Sequence, residues 1–252
     1  MDTPALGGDR YFQTMSWVFL ALVFIGFAPS FYLGFLVDDH PLYPRGLPWA
    51  YIVHGVALTG WYLLFVVQSS LIVSGNRALH RRLGTLGAAW AAGVLATTWW
   101  AISLIPNRMQ ELALDTGRTV EEVEPGLAGI LWLDVFMSLL FLGFVAGGVV
   151  RRNRRREHKR LMLFAGLAFL FAAVFRLSGM VGQFAGLAFG PLLGLLILVL
   201  LWGSVLVHDR RREGRVLAVT WTGFALYWLS VVSSFVLGGS AGGEAFILGL
   251  FS

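Results

Sequence analysis

Three ionisable side chains, His54, Asp134 and Arg176, interrupt stretches of sequence that are otherwise apolar enough to be buried in lipid. An ionisable group within a membrane span is costly, so each of them is a candidate for function. An arginine presents a fixed set of donors to an anionic or carbonyl group, and a histidine or an aspartate exchanges protons. The trio therefore predicts a site for a small molecule or a proton.

The same three residues are predicted to lie at one depth. His54 is five or six residues from the outer end of its span, Asp134 is seven residues into its own, and Arg176 is five or six from the outer end of the next. At 1.5 Å per residue, all three fall roughly 7–11 Å below the outer surface. Because consecutive helices are usually neighbours, we expect Asp134 and Arg176 to form an ion pair. That pair either locks two helices together or presents the arginine to a ligand.

Polar and aromatic side chains on the same spans predict the lining of this site. His54, Trp61 and Gln68 recur every seven residues and therefore share one face of a helix. The other predicted ligand-binding residues lie near the outer ends of their spans: Trp99, Trp100 and Gln183. No catalytic residue is assigned, because the sequence contains no HExxH, GxSxG, Walker or GxGxxG motif.

Hydropathy predicts the helices that hold these residues. Only 13% of the 252 residues are charged and 57% are apolar, which excludes a soluble globular protein and a nucleic-acid-binding domain. Runs long enough to cross about 30 Å of hydrocarbon recur seven times without period-two alternation. They predict an all-α, polytopic membrane helix bundle, a single domain over residues 1–252 with seven transmembrane helices at about 15–37, 48–74, 83–105, 127–150, 161–181, 189–207 and 216–237.

Charge predicts the orientation of the bundle. Fifteen of the nineteen basic residues fall in loops on one side, which places the N-terminus inside and the C-terminus outside a bacterial inner membrane. The arginine-rich run at 151–160 lies between two spans, so we interpret it as a topology signal that contacts anionic lipid rather than nucleic acid. Half of the fourteen acidic residues lie in loops on the opposite side: Asp38, Asp39, Glu111, Asp115, Glu121, Glu122 and Glu124.

Two local patterns add detail to this outline. Within the outer loop 106–126, Thr119 followed by Glu122 fits a capping box, which predicts a short helix that ends before Pro125. Glycines spaced four residues apart predict close helix packing within the chain; they are Gly143 with Gly147, and Gly182, Gly186, Gly190 and Gly194.

A longer pattern carries a resemblance. His54-Gly55, Trp61, Gln68 and His80-Arg81-Arg82-Leu83-Gly84 form HG…W…Q…HRxLG, and HKRLM follows at 158–162. The pattern resembles a group of uncharacterised bacterial multi-span membrane proteins over roughly 49–106 and 158–176, and this resemblance implies no particular activity. A looser resemblance to cytochrome b561-like and oxidase-assembly membrane proteins rests on histidine placement alone and implies haem b as a candidate cofactor.

These observations leave three functions open. The first is binding of a small molecule or a proton at an outer-leaflet site, with translocation and enzymatic conversion both undecided. The second is a haem- or quinone-associated redox protein with His80 and His158 as the axial pair near the inner face. The third is a structural or assembly subunit in which the polar trio only locks helices. No metal site is predicted, because His80, His158 and His208 each lie in an arginine-rich segment.

Overall fold

The computed structural model describes residues 5–34, 46–186 and 189–251, with side chains from Arg10 onward, and every regular element in these ranges is helical. In chain order the elements are α1 (Ala5–Gly26), a π-helical turn (Ala28–Tyr32), α2 (Trp49–Val73), α3 (Arg77–Ser103), α4 (Ile105–Thr116), α5 (Val120–Val123), α6 (Leu127–Val150), α7 (Arg155–Ala185), α8 (Phe189–Glu213), α9 (Ala218–Gly238) and α10 (Ala241–Leu250).

Six helical segments in the described ranges are long and apolar enough to cross a membrane. They are α2, α3 with its continuation α4, α6, α7, α8 and α9. Their length and composition indicate a multi-pass membrane protein of the helical class.

The first predicted span, 15–37, differs most from the structure. α1 begins at Ala5 and ends at Gly26, and its apolar part, Arg10–Gly26, is shorter than the other spans. Pro29, which has no backbone N–H, follows within the π-helical turn and interrupts the helical ladder. The end of the predicted span, at 35–37, and the predicted acidic residues Asp38 and Asp39 lie outside the described residues.

The bundle is organised around α7. This helix packs against α1, α6, α8 and α9, and Tyr62 of α2 donates a hydrogen bond to the backbone oxygen of Gly166 at its middle, 2.8 Å away. The sequence of α7 is apolar on every side from Leu161 to Val174, which is typical of a helix buried all round. The other spans form a ring around it, in which α2 contacts α1 and α3, α3 contacts α6, and α6 contacts α9.

Small residues permit the closest helix contacts in the bundle. A Cβ atom added at Gly26 would collide with the backbone oxygen of Ala173, so α1 lies directly against α7. The packing role predicted for Gly190 and Gly194 is confirmed, because both press on the Ser178 region of α7. Gly143 faces open space and takes no part in such a contact.

The two ends of the bundle carry opposite charge. The basic end contains the start of α1 and the connections at 74–76, 151–154 and 214–217, where the basic residues concentrate. The acidic end contains α4, α5 and α10, which carry or adjoin Glu111, Asp115, Glu121, Glu122, Glu124 and Glu244.

The acidic end contains more helix than the sequence predicts. The capping box is confirmed, because Glu122 N–H donates to the Thr119 hydroxyl and Thr119 N–H donates to the Glu122 carboxylate. α4 and α10 are not predicted. α10 folds back onto α6, where the indole N–H of Trp132 donates to the Gly243 carbonyl at 3.0 Å and the Trp132 ring stacks on Phe246.

Candidate functional site

His54 lies on the inward face of α2. Its Nδ1 atom is 3.5 Å from the Thr97 hydroxyl of α3, and its side chain is half-buried. Trp61, seven residues later on α2, is 3% exposed, and its ring makes an edge-to-face contact with Phe141 of α6. The indole N–H of Trp61 has no hydrogen-bond partner within the described part of the chain.

Asp134 also points toward the interior. It shares a face of α6 with Leu131 and Ser138, three residues before and four after it, and both of these are fully buried. Part of the Asp134 side chain nevertheless remains accessible. Among the described residues the carboxylate has no hydrogen bond and no ion pair, so it is an unbonded acidic group on a buried face.

Arg176 of α7 is half-buried beside the end of α1. Its guanidinium carbon lies 5.0 Å from the centre of the Phe27 ring, within the range of a cation–π interaction. Its charge acts on both Asp134 and Glu124, yet within the described ranges no carboxylate lies within 4.0 Å of it. The predicted ion pair between Asp134 and Arg176 is therefore wrong. The two helices are neighbours, as expected, but depth along a helix does not determine its rotation.

Glu124, between α5 and α6, is a further charged residue of this region and is not among the residues predicted from the sequence. Burial raises the pKa of its carboxyl above the ordinary value, and the positive charge of Arg176 acts in the opposite direction. In the sequence Glu124 is one of several acidic residues in a polar loop, and it belongs to no motif such as the capping box that marks Glu122. Only the fold brings it within the electrostatic reach of Arg176.

Three of the predicted lining residues lie at the surface of the acidic half. Trp99 and Trp100 are 36% and 43% exposed, and the Trp99 ring is 6.3 Å from that of Phe251 beyond α10. Gln183 is exposed near the end of α7. These positions place the three residues around the acidic end rather than within the buried interior.

Gln68 lies at the basic end, so its predicted place in the outer lining is wrong. It is fourteen residues from His54, or about 21 Å along α2. With its amide nitrogen turned toward His80, Gln68 donates to the His80 carbonyl at 3.1 Å and accepts from Gly84 N–H at 2.8 Å. A shared face therefore does not mean a shared site.

Two histidines meet beside this amide. His80 Nδ1 is 3.3 Å from the Gln68 backbone oxygen, and His158 Nδ1 is 2.8 Å from the Gly148 backbone oxygen. The ring centres are 6.3 Å apart and the planes are perpendicular. Residues from both halves of the HG…W…Q…HRxLG and HKRLM patterns thus come together. Among the described residues, no three His, Cys, Asp or Glu side chains gather as a metal site.

The basic end also holds a buried ion pair that the sequence analysis missed. Arg160 and Asp209 are fully buried, and Arg160 Nε and Nη2 lie 2.8 and 2.5 Å from one Asp209 oxygen. The other Asp209 oxygen accepts from Leu217 N–H and from the Thr220 hydroxyl at 3.1 and 2.6 Å. Glu213 accepts a further bond from Arg160. In the sequence Arg160 is one member of the basic run, which hides its different role.

No protein-family model, curated protein or solved structure matches this chain. The fold and the side chains therefore define a class of protein only. It is an all-helical, multi-pass membrane protein with a fully bonded ion pair at the basic end and, among the described residues, no ion pair at Asp134, Glu124 or Arg176 near the acidic end.

Proposed function

We propose that this protein binds a small anionic molecule at the acidic end and couples that binding to a proton. The observation that carries the proposal is the state of Arg176. Its guanidinium adjoins an aromatic ring and has no hydrogen bond or ion pair within the described residues. A guanidinium has five N–H donors in a planar fork that matches a carboxylate or a phosphate.

Coupling to a proton follows from the two carboxylates that act on this guanidinium. Asp134 and Glu124 are each influenced by the Arg176 charge. When one of them takes up a proton, less negative charge opposes an anion at Arg176, so protonation and anion binding favour each other. His54, on the inward face of α2, is a second group for proton exchange. Whether the bound molecule is translocated or converted depends on its chemistry.

The membrane setting belongs to the same proposal. We place the acidic end on the outer side of a bacterial inner membrane, with α1 as a seventh span. The support is the concentration of basic residues at the opposite end, which the positive-inside rule puts in the cytoplasm. Anionic lipid at the exposed arginines of 151–156 would add about 1 kcal/mol per basic residue near the membrane surface.

A thermal-shift panel on the purified protein tests the proposal. The probes are acetate, succinate, inorganic phosphate and methanesulfonate, with ethylamine as the cationic arm. We expect at least one anion to raise the unfolding temperature of the wild type but not that of Arg176→Gln. Arg118→Gln, an exposed arginine of the same end, is the matched control and should respond like the wild type.

The pH dependence of the same assay tests the proton coupling. Methanesulfonate stays ionised, so its stabilising effect should grow as the pH falls and the site carboxylates take up protons. Asp134→Asn should weaken that dependence while it keeps anion binding. The proposal fails if no anion raises the unfolding temperature of the wild type more than that of Arg176→Gln, with Arg118→Gln responding as the wild type does.

One observation favours a second candidate, a haem-binding redox protein. The rings of His80 and His158 are neighbours, with centres 6.3 Å apart, and His158 Nδ1 lies 2.8 Å from the Gly148 carbonyl, which leaves its Nε2 available as a haem ligand. A Soret band that is lost in His80→Ala and His158→Ala but kept in His208→Gln would support it, and a purified protein without a Soret band after haem addition would exclude it.

A further inference from the structure

An elongated groove runs along the seam between α1 and α2 on the outside of the bundle. It encloses about 570 Å³ and is open along one side. Its α1 wall is formed by Gln13, Trp17 and Leu20, and its α2 wall runs from Leu63 to Ser74. The α2 wall spans about 16 Å, close to the thickness of one hydrocarbon leaflet, which is half of about 30 Å.

The groove has an apolar stretch and a polar end. Trp17 and Leu63 at its rim are 54% and 45% exposed, so this surface faces the lipid. Toward the basic end, Gln13 donates to the Ser70 hydroxyl at 3.0 Å, and Ser74 is the last residue of the wall. A second bond, between Ser16 and Ser69 at 2.8 Å, holds the two helices together beneath it. The groove therefore has a fixed floor rather than a loose gap.

Two exposed arginines are close in the chain to the residues of the polar end. Arg10 lies three residues before Gln13 on α1 and therefore on the same face, one turn nearer the basic end. Arg77 begins α3, three residues after Ser74. Neither arginine forms an ion pair with a described residue. The charge at this end thus complements an anionic group placed where the apolar stretch stops.

From this arrangement we infer a binding site for one anionic phospholipid. One acyl chain fills the groove between α1 and α2, and the phosphate lies between Arg10 and Arg77. A neutral phospholipid supplies the same chain but carries a cationic group beside its phosphate, so the two arginines discriminate against it. The inference is independent of the acidic-end site, because no residue is shared between the two.

Quenching of Trp17 by lipids brominated on the acyl chain tests the inference. The protein is reconstituted in phosphatidylcholine vesicles with increasing brominated phosphatidylglycerol or brominated phosphatidylcholine. The difference between the wild type and Trp17→Phe isolates the signal of Trp17 from the other nine tryptophans. We expect half-maximal quenching at a mole fraction of phosphatidylglycerol about tenfold or more below that of phosphatidylcholine, given about 1 kcal/mol per basic residue.

Paired variants separate this site from a general attraction to negative lipid. Arg10→Gln with Arg77→Gln should abolish the preference, whereas Arg212→Gln with Arg215→Gln, exposed arginines away from the groove, should keep it. Val67→Phe, which fills the groove and leaves both arginines, should reduce quenching by either lipid. Equal quenching by the two lipids in the wild type, or equal loss of preference in both arginine pairs, would overturn the inference.

Discussion

The two ends of this bundle differ in whether their inward-facing charged side chains are paired. At the basic end, both oxygens of Asp209 are bonded, and Arg160 is held by Asp209 and Glu213. At the acidic end, Arg176 acts on Asp134 and Glu124 without an ion pair to either in the described residues. A saturated network holds helices rigidly. Charges that lack partners add little stability, and such groups are typical of sites that meet a ligand.

The difference arises from the connections between helices. At the basic end the short connection 214–217 turns α9 back toward α8, so that Leu217 N–H and Thr220 reach Asp209. At the acidic end α1 stops at Gly26, and the ring of Phe27 lies against Arg176 instead of a carboxylate. The short connection therefore completes the hydrogen bonds of Asp209 at the basic end. The end of α1 at Gly26 leaves Arg176 beside an aromatic ring at the acidic end.

The largest expected effect is loss of the buried pair. Arg160→Gln or Asp209→Asn should destabilise the folded protein by about 3–5 kcal/mol, because the remaining charge is buried without its partner. Intrinsic tryptophan fluorescence during thermal unfolding in detergent would measure this. Arg156→Gln is the control; its side chain is 73% exposed and pairs with Glu213, so its effect should stay below about 1 kcal/mol. A comparable loss of stability in Arg156→Gln would show that the buried pair contributes no more to stability than an exposed ion pair does.

Helix packing near the acidic end is expected to be tight, although Asp134 and Arg176 form no ion pair with a described residue. Gly26→Ala should destabilise the protein by about 1–3 kcal/mol, because the new methyl group forces α1 away from Ala173. Gly143→Ala places the same methyl group in open space and should cause no loss. The same unfolding assay applies to both variants. If Gly26→Ala is as stable as the wild type, the close contact between α1 and α7 is absent.

Neutralising Asp134 or Arg176 should change the free energy of unfolding far less than Arg160→Gln or Asp209→Asn does. Asp134→Asn and Arg176→Gln should each shift the unfolding free energy by less than about 1 kcal/mol, and their double-mutant cycle should give a coupling of similar size or smaller. The reason is that no direct ion pair is broken. Losses of about 3 kcal/mol in each single variant, with recovery in the double variant, would instead reveal a buried ion pair.

The smallest effect concerns pH. Because burial raises the pKa of Glu124, its stabilising contribution is fully present below the ordinary carboxyl value of about 4.3 and is lost as the pH rises through the raised value. The wild type should therefore lose stability relative to Glu124→Gln between about pH 4 and neutral pH. Unfolding temperatures over that range would show it, and a difference that does not vary with pH would contradict it.

Glu122 provides the opposite case at the same end of the bundle. The hydrogen bond from Thr119 N–H to its carboxylate lowers the pKa of Glu122. The linked stability is present above the ordinary value and is lost as the pH falls through the lowered one. The wild type should therefore lose a little stability as the pH falls through the lowered pKa, and Glu122→Gln should not show this loss. Unfolding temperatures over the acidic pH range would measure it. The two variants should change the pH profile in opposite directions.

Patterns within short stretches of sequence were sufficient to predict several helices of this protein. Apolar runs predicted α2, α6 and α9 to within two residues at each end, because span length follows from the thickness of hydrocarbon. The capping box at Thr119 was also predictable, since it depends on two side chains three residues apart. The sequence of α4 also has amphipathic spacing, with Met109, Leu112 and Ala113 buried, but its charged residues and its place between two spans are equally typical of a loop.

The sequence by itself determined the helical class, most of the spans, the charge difference between the ends and the candidates His54, Asp134 and Arg176. Only the tertiary structure decided that Arg160 belongs to a buried pair, that Gln68 belongs to the basic end, and that Glu124 lies within reach of Arg176. Hydropathy and residue counting measure position along a helix. The rotation of each helix and the path of its connections depend on how side chains of distant segments pack together, and these decide which charges meet.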